Sequence, residues 1–397
     1  MSTRSSNILF LTAHLPVLGL HGGGVRMYHN LRFLAERHRV TLVSFIESER
    51  ELEWLPQLAE LGTEVRTVLR RPLPSAHLLI PKPREHDEYR SPEMASVVQR
   101  LLAQKQYDVV QAEFVQMAQH VPLSSRYFKV LTEHEVHFAN FFEDCVREKR
   151  ILHKAKKAYD WMVQLNYEAR VCRAFDRVVC MTNEDQACLG RFVPAHKLRT
   201  IPIGVDCRYY APSDSVEARC PNRILFVGNY RHPPNQDAVY HFAEEILPVV
   251  RAAVPDAEFC VTGANADLLD RKRLQNAAGV AVAGYLKDVR PAYQQAALFA
   301  APIRVGSGMR VKVLEALSMA LPVVGYPLAI QGFQLREGEH CLTASDPSGF
   351  ARQVIHLLRN PCLRTEIGAR ARKLIEQHFD WQALRPQFLE VVERSDG

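Results

Sequence analysis

The chain has 397 residues, more than a single hydrophobic core normally organises, so we expect two domains of roughly 150–200 residues each. Its hydrophobic fraction of 47% is typical of a water-soluble globular protein, and no apolar run approaches the length of a membrane span. The net charge of +6 is mild and diffuse, so it does not indicate a nucleic-acid partner. Nine cysteines, none of them in a Cys-x-x-Cys pair, predict a reducing, cytoplasmic environment rather than a disulfide framework.

The first half of the sequence alternates strand-length apolar runs with helical patterns. Residues 8–12 predict a buried parallel strand, followed by a glycine loop at 22–24, a helix and a second strand at 40–45. This order is that of a βαβ unit with its glycines at the carboxyl end of the first strand. Further strands are predicted at 107–112, 129–132, 177–182 and 197–204, with a long helix at 148–175.

A second alternating series follows residues 206–222, which have little periodicity and are interpreted as a linker. It predicts strands at 223–228, 258–263, 280–283, 298–302, 322–326 and near 341, and helices at 235–250, from 310, at 347–358, 361–377 and 381–393. The predicted fold class is therefore α/β, with two doubly wound domains at 1–205 and 223–378 facing each other across a cleft. The terminal segment, 379–397, can pack back on either half, including the N-terminal domain.

A predicted strand, loop and helix at 297–317 carries the most distinctive chemistry. The Gly-Ser-Gly turn at 306–308 exposes backbone N–H groups at a positive helix end, which is a natural site for an anion. Arg310 and Lys312 stand at the start of this helix, where they oppose its macrodipole, and Glu315 follows one turn later. Cations at a helix N-terminus destabilise the helix slightly, and an unfavourable feature of this kind often marks a functional site. We therefore predict a pocket for a phosphorylated, hydroxylated ligand.

Several short fragments, each weak by itself, occur in a specific order and spacing. They are Leu-Phe-Val-Gly-Asn at 225–229, His-Pro-Pro-Asn-Gln-Asp-Ala at 232–238, Gly-Tyr-Leu-Lys-Asp at 284–288, Ala-Pro at 301–302, the run 306–316 ending in Leu-Glu-Ala, Leu-Pro-Val-Val at 321–324, Ile-Pro-Ile-Gly-Val-Asp at 201–206 and the glycines at 22–24. With them the chain resembles the retaining glycosyltransferases of the GT-B fold, specifically family 4. The resemblance covers nearly the whole length and is strongest from 223 to 381.

The resemblance implies transfer of a sugar from a nucleotide diphospho-sugar, UDP- or GDP-linked, to an acceptor hydroxyl, with retention at the anomeric carbon. It implies no metal and no cofactor, and the absence of any Asp-x-Asp motif suits a metal-independent transferase. The C-terminal domain would hold the donor, and the N-terminal domain would present a sugar, a lipid-linked or a small-molecule acceptor. Glu315 matches the second glutamate of the family's E-x7-E motif, which binds the ribose hydroxyls, whereas Ser307 replaces the first and leaves the donor sugar open.

The resemblance also implies the residues that face the donor. Arg231 matches an arginine that contacts the diphosphate, but Asn235 stands near the usual lysine, so Arg310 and Lys312 are expected to supply the missing charge. The complete predicted donor-binding set is Gly22, Gly23, Gly24, Gly228, Arg231, Gly284, Tyr285, Leu286, Gly306, Ser307, Gly308, Met309, Arg310, Lys312, Val313, Leu314 and Glu315.

In the first half, His134 matches a histidine that contacts the transferring sugar, and Glu113, just past a predicted strand, is a further candidate. His134, Arg310 and Lys312 are the predicted catalytic residues. Closure of the two domains is expected to bring them to one substrate.

Simpler interpretations stay open for each of these features. Glu315 fits a helix-surface residue, Arg310 and Lys312 fit surface charges, and His134 fits a structural histidine. The same scaffold serves sugar-nucleotide epimerases and phosphorylases, and the missing first glutamate fits a non-catalytic sugar-nucleotide-binding protein. The basic stretch 147–157 fits a solvated helix face or a peripheral contact with anionic lipid at the inner face of a membrane.

Overall fold

A computed structural model of the chain describes residues 5–18, 22–71, 82–212, 219–306 and 308–393. The chain divides into two compact units: unit 1 is Met1–Pro202 with Arg385–Gly397, and unit 2 is Ile203–Leu384. Each unit is organised on its own parallel sheet, which confirms the predicted α/β class with two Rossmann-like domains. Among the described residues, no helix is both long and apolar enough to cross a membrane.

Unit 1 contains a sheet of parallel strands joined by helical crossovers. Its described strands are β1 (Asn7–Thr12), β2 (Arg39–Ile46), β3 (Glu64–Leu69), β4 (Val109–Glu113), β5 (Phe128–Thr132), β6 (Arg177–Cys180) and β7 (Leu198–Thr200). They lie in the order β3-β2-β1-β4-β5-β6-β7, so the winding direction reverses between β1 and β4. β1 is buried after Asn7, and β4 is buried along its length although it carries Gln111 and Glu113.

The helices of unit 1 connect these strands. They are α1 (Gly22–Ala35), α2 (Leu55–Ala59), α3 (Arg84–Glu88), α4 (Pro92–Gln104), α5 (His137–Arg147), α6 (Ile151–Ala174) and α7 (Asn183–Leu189), with 3-10 segments at Glu49–Trp54, Val115–His120 and Ala195–Lys197. Local sequence explains where several begin. The Ser91 hydroxyl accepts a hydrogen bond from the Met94 amide at the start of α4, and Thr182 caps α7 through the Asp185 amide.

Unit 2 repeats the doubly wound plan with six described strands. They are β8 (Arg223–Val227), β9 (Glu258–Thr262), β10 (Val280–Gly284), β11 (Leu298–Ala301), β12 (Val323–Gly325) and β13 (Leu342–Thr343), in the order β10-β9-β8-β11-β12-β13. The helices are α8 (Pro233–His241), α9 (Leu247–Ala253), α10 (Arg271–Gln275), α11 (Arg290–Gln295), α12 (Val311–Ser318), α13 (Pro327–Ile330), α14 (Pro347–Arg359) and α15 (Pro361–His378). The reversal between β8 and β11 is where ligands bind in open sheets of this type.

Three local predictions differ from the structure. The edge strand β3 is absent from the prediction because only Val68 on it is fully buried, so the segment lacks an apolar run. The predicted glycine loop at 22–24 is instead the first turn of α1. The predicted strand at 197–204 shortens to β7, since Pro202 cannot donate to a ladder and the chain leaves the sheet before it.

Two helical predictions also need correction. The helix predicted at 235–250 begins earlier, at Pro233, and is interrupted by a π-helical turn at Phe242–Ile246 before α9. The terminal helix is α16 (Trp381–Val392), and the division between the two units falls inside it. On the unit 1 side, the Arg177 guanidinium donates to the carbonyls of Glu390 and Val391, each at 2.8 Å.

Candidate functional site

Two loops of unit 2 meet at the switch point of its sheet, because β8 and β11 are parallel neighbours and end on the same edge. The loop after β8 starts at Gly228 and leads into α8. The loop after β11 leads through 302–310 into α12. A Cβ added to Gly306 would lie 3.4 Å from Cγ of Pro234 at the start of α8, so the two loops are in van der Waals contact.

The loop after β9 closes on the same edge. Gly263 has φ +132°, and a Cβ added there would lie 1.9 Å from the carbonyl oxygen of Gly228. Only glycine fits this approach. The Gly263 amide in turn donates to the Gly284 carbonyl at 2.9 Å, which ties the end of β10 to the same group of loops.

The turn before α12 depends on two glycines in left-handed backbone conformations, Gly306 with φ +99° and Gly308 with φ +75°. Ser307, between them, lies outside the described residues. Arg310 is the last residue before the helix, and its guanidinium donates to the carbonyl of Gly308. The guanidinium therefore folds back along the turn instead of extending into solvent.

Lys312, in the first turn of α12, is largely withdrawn from water. Its ammonium donates to Oδ1 of Asn235 at 2.6 Å and lies 4.6 Å from the centre of the Phe226 ring. Burial and the nearby charge of Arg310 lower the pKa of Lys312 to about 7. The interpretation of Lys312 as a solvated surface charge is therefore wrong. Its one hydrogen-bond acceptor among the described residues is a neutral amide, so the site favours an anion.

Glu315, one turn further along α12, is half-buried and is therefore not a residue of the exposed helix surface. Its Oε1 accepts a hydrogen bond from the Tyr210 hydroxyl at 2.9 Å, and its Oε2 accepts one from the Tyr293 hydroxyl at 2.8 Å. Burial raises the pKa of Glu315, and these two hydrogen bonds only partly oppose the shift. A carboxylate can accept about four hydrogen bonds, so Glu315 keeps capacity for ligand hydroxyls.

Unit 1 holds a second polar cluster where β4 and β5 end. The His134 imidazole lies with Nε2 2.7 Å from Oε2 of Glu113, whose side chain is completely buried. The other oxygen of Glu113 accepts hydrogen bonds from Asn30 at 2.9 Å, Gln111 at 2.8 Å and Thr132 at 2.9 Å. Burial acts to raise the pKa of Glu113, but His134, the charge of Arg26 and the hydrogen bond from Thr132 outweigh it and lower the pKa overall.

This arrangement fixes the orientation of His134. Because an ionised carboxylate only accepts hydrogen bonds, the hydrogen of the imidazole is on Nε2 and Nδ1 is left for another partner. The opposite side of the cluster is apolar: the Phe114 ring stacks on the imidazole at 3.8 Å with an angle of 13°. The hydrogen bond to Glu113 therefore fixes the imidazole of His134 within the plane of its ring, and the Phe114 ring packs against its face.

Phe114, the residue that stacks on His134, has an unusual backbone conformation with φ 75° and ψ 141°. Positive φ in a bulky residue costs roughly 1–3 kcal/mol and occurs mainly where function requires it. A Cβ added to Gly23 would lie 3.3 Å from Cζ of Phe114, so the glycine turn of α1 packs against the same ring. Gly24 packs more closely still, on the Val17 carbonyl, where an added Cβ would lie 2.9 Å from the oxygen.

Comparison with known protein families identifies the family to which this chain belongs. Residues 20–209 match the family described as Glycosyltransferase Family 4, and residues 221–360 match Glycosyl transferases group 1. The chain belongs to the GT-B glycosyltransferases of the group 1 and family 4 type. The predicted assignment to the GT-B fold and to family 4 is thereby confirmed.

Curated relatives of this glycosyltransferase are distant. It is 22% identical over 265 residues to an uncharacterized 44.6 kDa protein in the cps region of Klebsiella pneumoniae, covering 64% of this chain and 65% of that protein. It is 27% identical over 200 residues to a phosphatidyl-myo-inositol mannosyltransferase of Mycobacterium leprae, covering 48% and 51% of the two chains. The chain thus matches between about half and two thirds of the length of these relatives.

Solved structures share the fold over nearly the full length of this chain. Anabaena Alr3699/HepE in complex with UDP has a TM-score of 0.70 and 14% identity, covering 97% of this chain and 98% of that one. Sucrose-phosphate synthase from Thermosynechococcus elongatus has a TM-score of 0.71 and 15% identity, with the same coverage. At these identities the likeness concerns the fold.

The predicted donor-binding residues of the glycosyltransferase fall into three groups. Gly228, Gly306, Gly308, Arg310, Lys312 and Glu315 lie together at the switch point of unit 2, and Arg231 is exposed in the loop after β8. Tyr285, 71% exposed, and Leu286 follow Gly284, whose carbonyl already accepts from the Thr262 hydroxyl at 2.7 Å. Gly22, Gly23 and Gly24 lie in unit 1.

Val313 and Leu314 were predicted to face the donor, but their side chains point into the core of unit 2. Both side chains are completely buried in the core of unit 2. Their amides lie 2.8 and 3.4 Å from the Arg310 carbonyl oxygen. Met309 packs against the same core with part of its side chain exposed.

Sequence reasoning missed the residues that contact the predicted ones. Tyr210 and Tyr293 on Glu315 carry no motif, and Tyr210 lies within the stretch interpreted as a linker. Asn235 was noted only as a departure from the family, although it holds Lys312. Phe114 was missed because nothing in a sequence marks a positive φ at a bulky residue.

Proposed function

We propose that this protein transfers a sugar from a nucleotide diphospho-sugar to an acceptor hydroxyl, binding the donor at the switch point of unit 2. One observation carries the proposal. Within one turn of α12, the ammonium of Lys312 forms no ion pair among the described residues, although Glu315 lies near enough to act on its pKa, and the half-buried carboxylate of Glu315 retains unused hydrogen-bonding capacity. The first suits a diphosphate and the second suits ribose hydroxyls.

The relatives support this class of substrate by their names. Alr3699/HepE has been solved with UDP and with UDP-glucose, and the Mycobacterium leprae relative is a mannosyltransferase. We therefore propose a UDP- or GDP-linked sugar as donor. The acceptor proposed is a sugar, a lipid-linked molecule or a small molecule carrying a free hydroxyl.

The proposed chemistry proceeds with retention and uses neither a metal nor a cofactor. The bond between the anomeric carbon and the diphosphate oxygen breaks, and the acceptor oxygen bonds to that carbon on the same face. The departing phosphate oxygen takes the acceptor proton, so no protein group is assigned as general base. Arg310 and Lys312 would offset the negative charge that grows on the leaving diphosphate, which is the largest contribution in catalysis of this kind.

Unit 1 is proposed to supply His134 to the transferring sugar. Since Glu113 holds the hydrogen of the imidazole on Nε2, the atom offered to a sugar hydroxyl is Nδ1, an acceptor. A neutral acceptor fixes a hydroxyl without adding charge near the reacting carbon. His134 would thus orient the sugar while the cations of unit 2 stabilise the leaving group.

A donor panel tests the proposal directly. Purified protein is mixed with UDP-, GDP-, ADP- and dTDP-sugars, and thermal shift identifies the nucleotide that stabilises it. The stabilising donor is then followed by NMR for slow hydrolysis, where the first anomer formed reports retention or inversion. Stabilisation by no nucleotide would contradict the donor site. Binding without hydrolysis or transfer to any acceptor would favour a non-catalytic binding protein.

The same panel separates the remaining alternatives on this scaffold. An epimerase would change the sugar of the nucleotide donor with no acceptor present. A phosphorylase would release a sugar phosphate when inorganic phosphate is added. Either product would replace the transferase assignment while leaving the donor site in place.

A further inference from the structure

The tip of the α5–α6 hairpin in unit 1 exposes apolar side chains that nothing in the described chain covers. Ile151 and Leu152, at the first turn of α6, are each 84% exposed, the highest values for large hydrophobic residues among the described ones. Val146 and Phe142, at the end of α5, are 57% and 49% exposed. An exposed apolar cluster of this kind marks a surface that contacts a partner.

The hairpin that carries this tip is well packed below it. The Phe142 and Trp161 rings lie 5.2 Å apart across the two helices. The Cys145 thiol lies 3.7 Å from the Lys154 carbonyl oxygen, and the Lys157 ammonium reaches the Asp144 carbonyl. The apolar tip is therefore presented by a helical pair and is not an unfolded end.

Positive charge surrounds the same tip. Residues 149–159 contain no aspartate or glutamate, and the cations of the tip are Arg147, Lys149, Arg150, Lys154, Lys156 and Lys157. Arg147 pairs with Glu143 and Lys157 with Glu148, and no other carboxylate of the described chain pairs with a tip cation. These charges also crowd the N-terminus of α6, which has no side-chain cap and where the helix dipole disfavours cations.

The apolar and cationic character continues along α6. Tyr159 and Met162 lie on the same side of the helix as Leu152 and line a cavity of about 850 Å³ in unit 1. The residues that line this cavity also include Lys82, Arg90 and Arg170. The whole face of α6 therefore combines exposed hydrocarbon with positive charge.

We infer that the α5–α6 tip docks on the surface of an anionic lipid bilayer. Ile151 and Leu152 would enter the boundary between headgroups and acyl chains, while the lysines and Arg150 contact lipid phosphates. A protein partner fits this composition less well, because the cores of protein interfaces are depleted in lysine. Aliphatic residues ringed by lysine and arginine are instead typical of elements that lie in a membrane interface.

The inference extends the proposed function without depending on it. Docking by unit 1 would bring the glycosyltransferase to acceptors held in or on a membrane. Vesicle binding is measured without donor or acceptor, so it fails or succeeds independently of the transferase assignment.

Flotation of the full-length protein with vesicles tests the inference. We expect binding to phosphatidylcholine vesicles that contain phosphatidylglycerol, weaker binding to phosphatidylcholine alone, and loss of binding at high salt, since each basic residue near an anionic surface contributes roughly fivefold. Ile151→Ser with Leu152→Ser should weaken binding about tenfold. Replacing Lys149, Arg150, Lys154 and Lys156 by Gln should weaken it further.

Matched controls come from exposed residues of unit 2. Val249→Ser with Leu268→Ser removes two side chains that are 45% and 49% exposed, and Arg271→Gln with Lys272→Gln removes two exposed cations. Both controls should float like the wild type, and all variants should keep the wild-type rate of donor hydrolysis in solution.

Three results would overturn the inference. The first is absence of wild-type binding to anionic vesicles at low salt, and the second is tip variants that bind as well as the wild type. The third is a dimer in sedimentation velocity that the tip variants abolish, together with no vesicle binding, which would assign the tip to a second copy of the chain.

Discussion

Two carboxylates, the buried Glu113 in unit 1 and the half-buried Glu315 in unit 2, have opposite electrostatic situations. Glu113 accepts hydrogen bonds from three neutral donors and from His134, and its pKa is lowered in spite of burial. Glu315 accepts from two tyrosine hydroxyls, and burial raises its pKa. Burial alone therefore does not decide the state of a carboxylate. At Glu113, His134, the charge of Arg26 and the hydrogen bond from Thr132 outweigh burial, whereas at Glu315 the hydrogen bonds from Tyr293 and Tyr210 do not.

The difference indicates different roles. The hydrogen-bonding capacity of Glu113 is spent within its own unit, so this residue can only position its neighbour His134. Glu315 and the adjacent Lys312 are incompletely satisfied, so both are suited to bind a ligand. Four experiments test this division, from the largest expected effect to the smallest.

Lys312→Met is expected to lower turnover about 100-fold, because it removes a desolvated cation from the growing charge of the leaving diphosphate. Steady-state kinetics with the donor found in the panel measure it. Methionine fills the space over Phe226 without a charge, so the melting temperature should not fall. The matched control, Lys272→Met on exposed α10, should retain wild-type turnover. A turnover within twofold of wild type in Lys312→Met would remove this lysine from catalysis.

The pH dependence of donor affinity should follow Lys312. Its pKa in the free protein is about 7, and a bound diphosphate favours the charged ammonium. The dissociation constant should therefore be constant below pH 7 and rise by up to about tenfold per pH unit above it. Because this pKa lies below that of the unfolded chain, stability of the free protein should rise from pH 7 towards the unfolded value.

Isothermal titration from pH 6 to pH 9 measures this dependence. Lys312→Met should give a flat profile, since it has no titrating group at that position. An unchanged slope in the variant would assign the titration to another group.

Glu315→Gln is expected to weaken donor binding about tenfold while changing turnover little, because charge-assisted hydrogen bonds to the ribose become neutral ones. Titration with the nucleotide diphosphate measures it, and a 2′-deoxynucleotide serves as control. The variant should lose less affinity for the deoxy compound than for the ribose form. Equal losses for both nucleotides would contradict a contact with the 2′-hydroxyl.

Glu113→Gln is expected to lower turnover about fivefold and to leave nucleotide affinity unchanged, because the charged acceptor that holds the imidazole hydrogen on Nε2 is replaced by one end of a neutral amide. The readout is the pH profile of turnover, which should change shape as well as height. In a His134→Ala background the same substitution should have no further effect. Additive losses in the double variant would mean that Glu113 acts independently of His134.

The fold was predictable from the sequence wherever local pattern and final environment agree. β1 and β8 contain continuous apolar runs because both of their faces are covered, and the glycine turn before α12 is visible as Gly-x-Gly. β3 was not predictable in this way. It is an edge strand, so its partly exposed residues lack the apolar run that reveals a central strand.

The sequence by itself determined the α/β architecture, the family and the spacing of Arg310, Lys312 and Glu315 on one helical turn, because all three are properties of short stretches. Only the tertiary structure decided what those side chains contact. Lys312 meets Asn235 from 77 positions away, and Glu315 meets Tyr210 from 105 positions away. Such contacts, and the burial that accompanies them, arise when the strands assemble into a sheet. They distinguish a half-buried cation and a carboxylate with unused hydrogen-bonding capacity from the surface charges of the simpler interpretation.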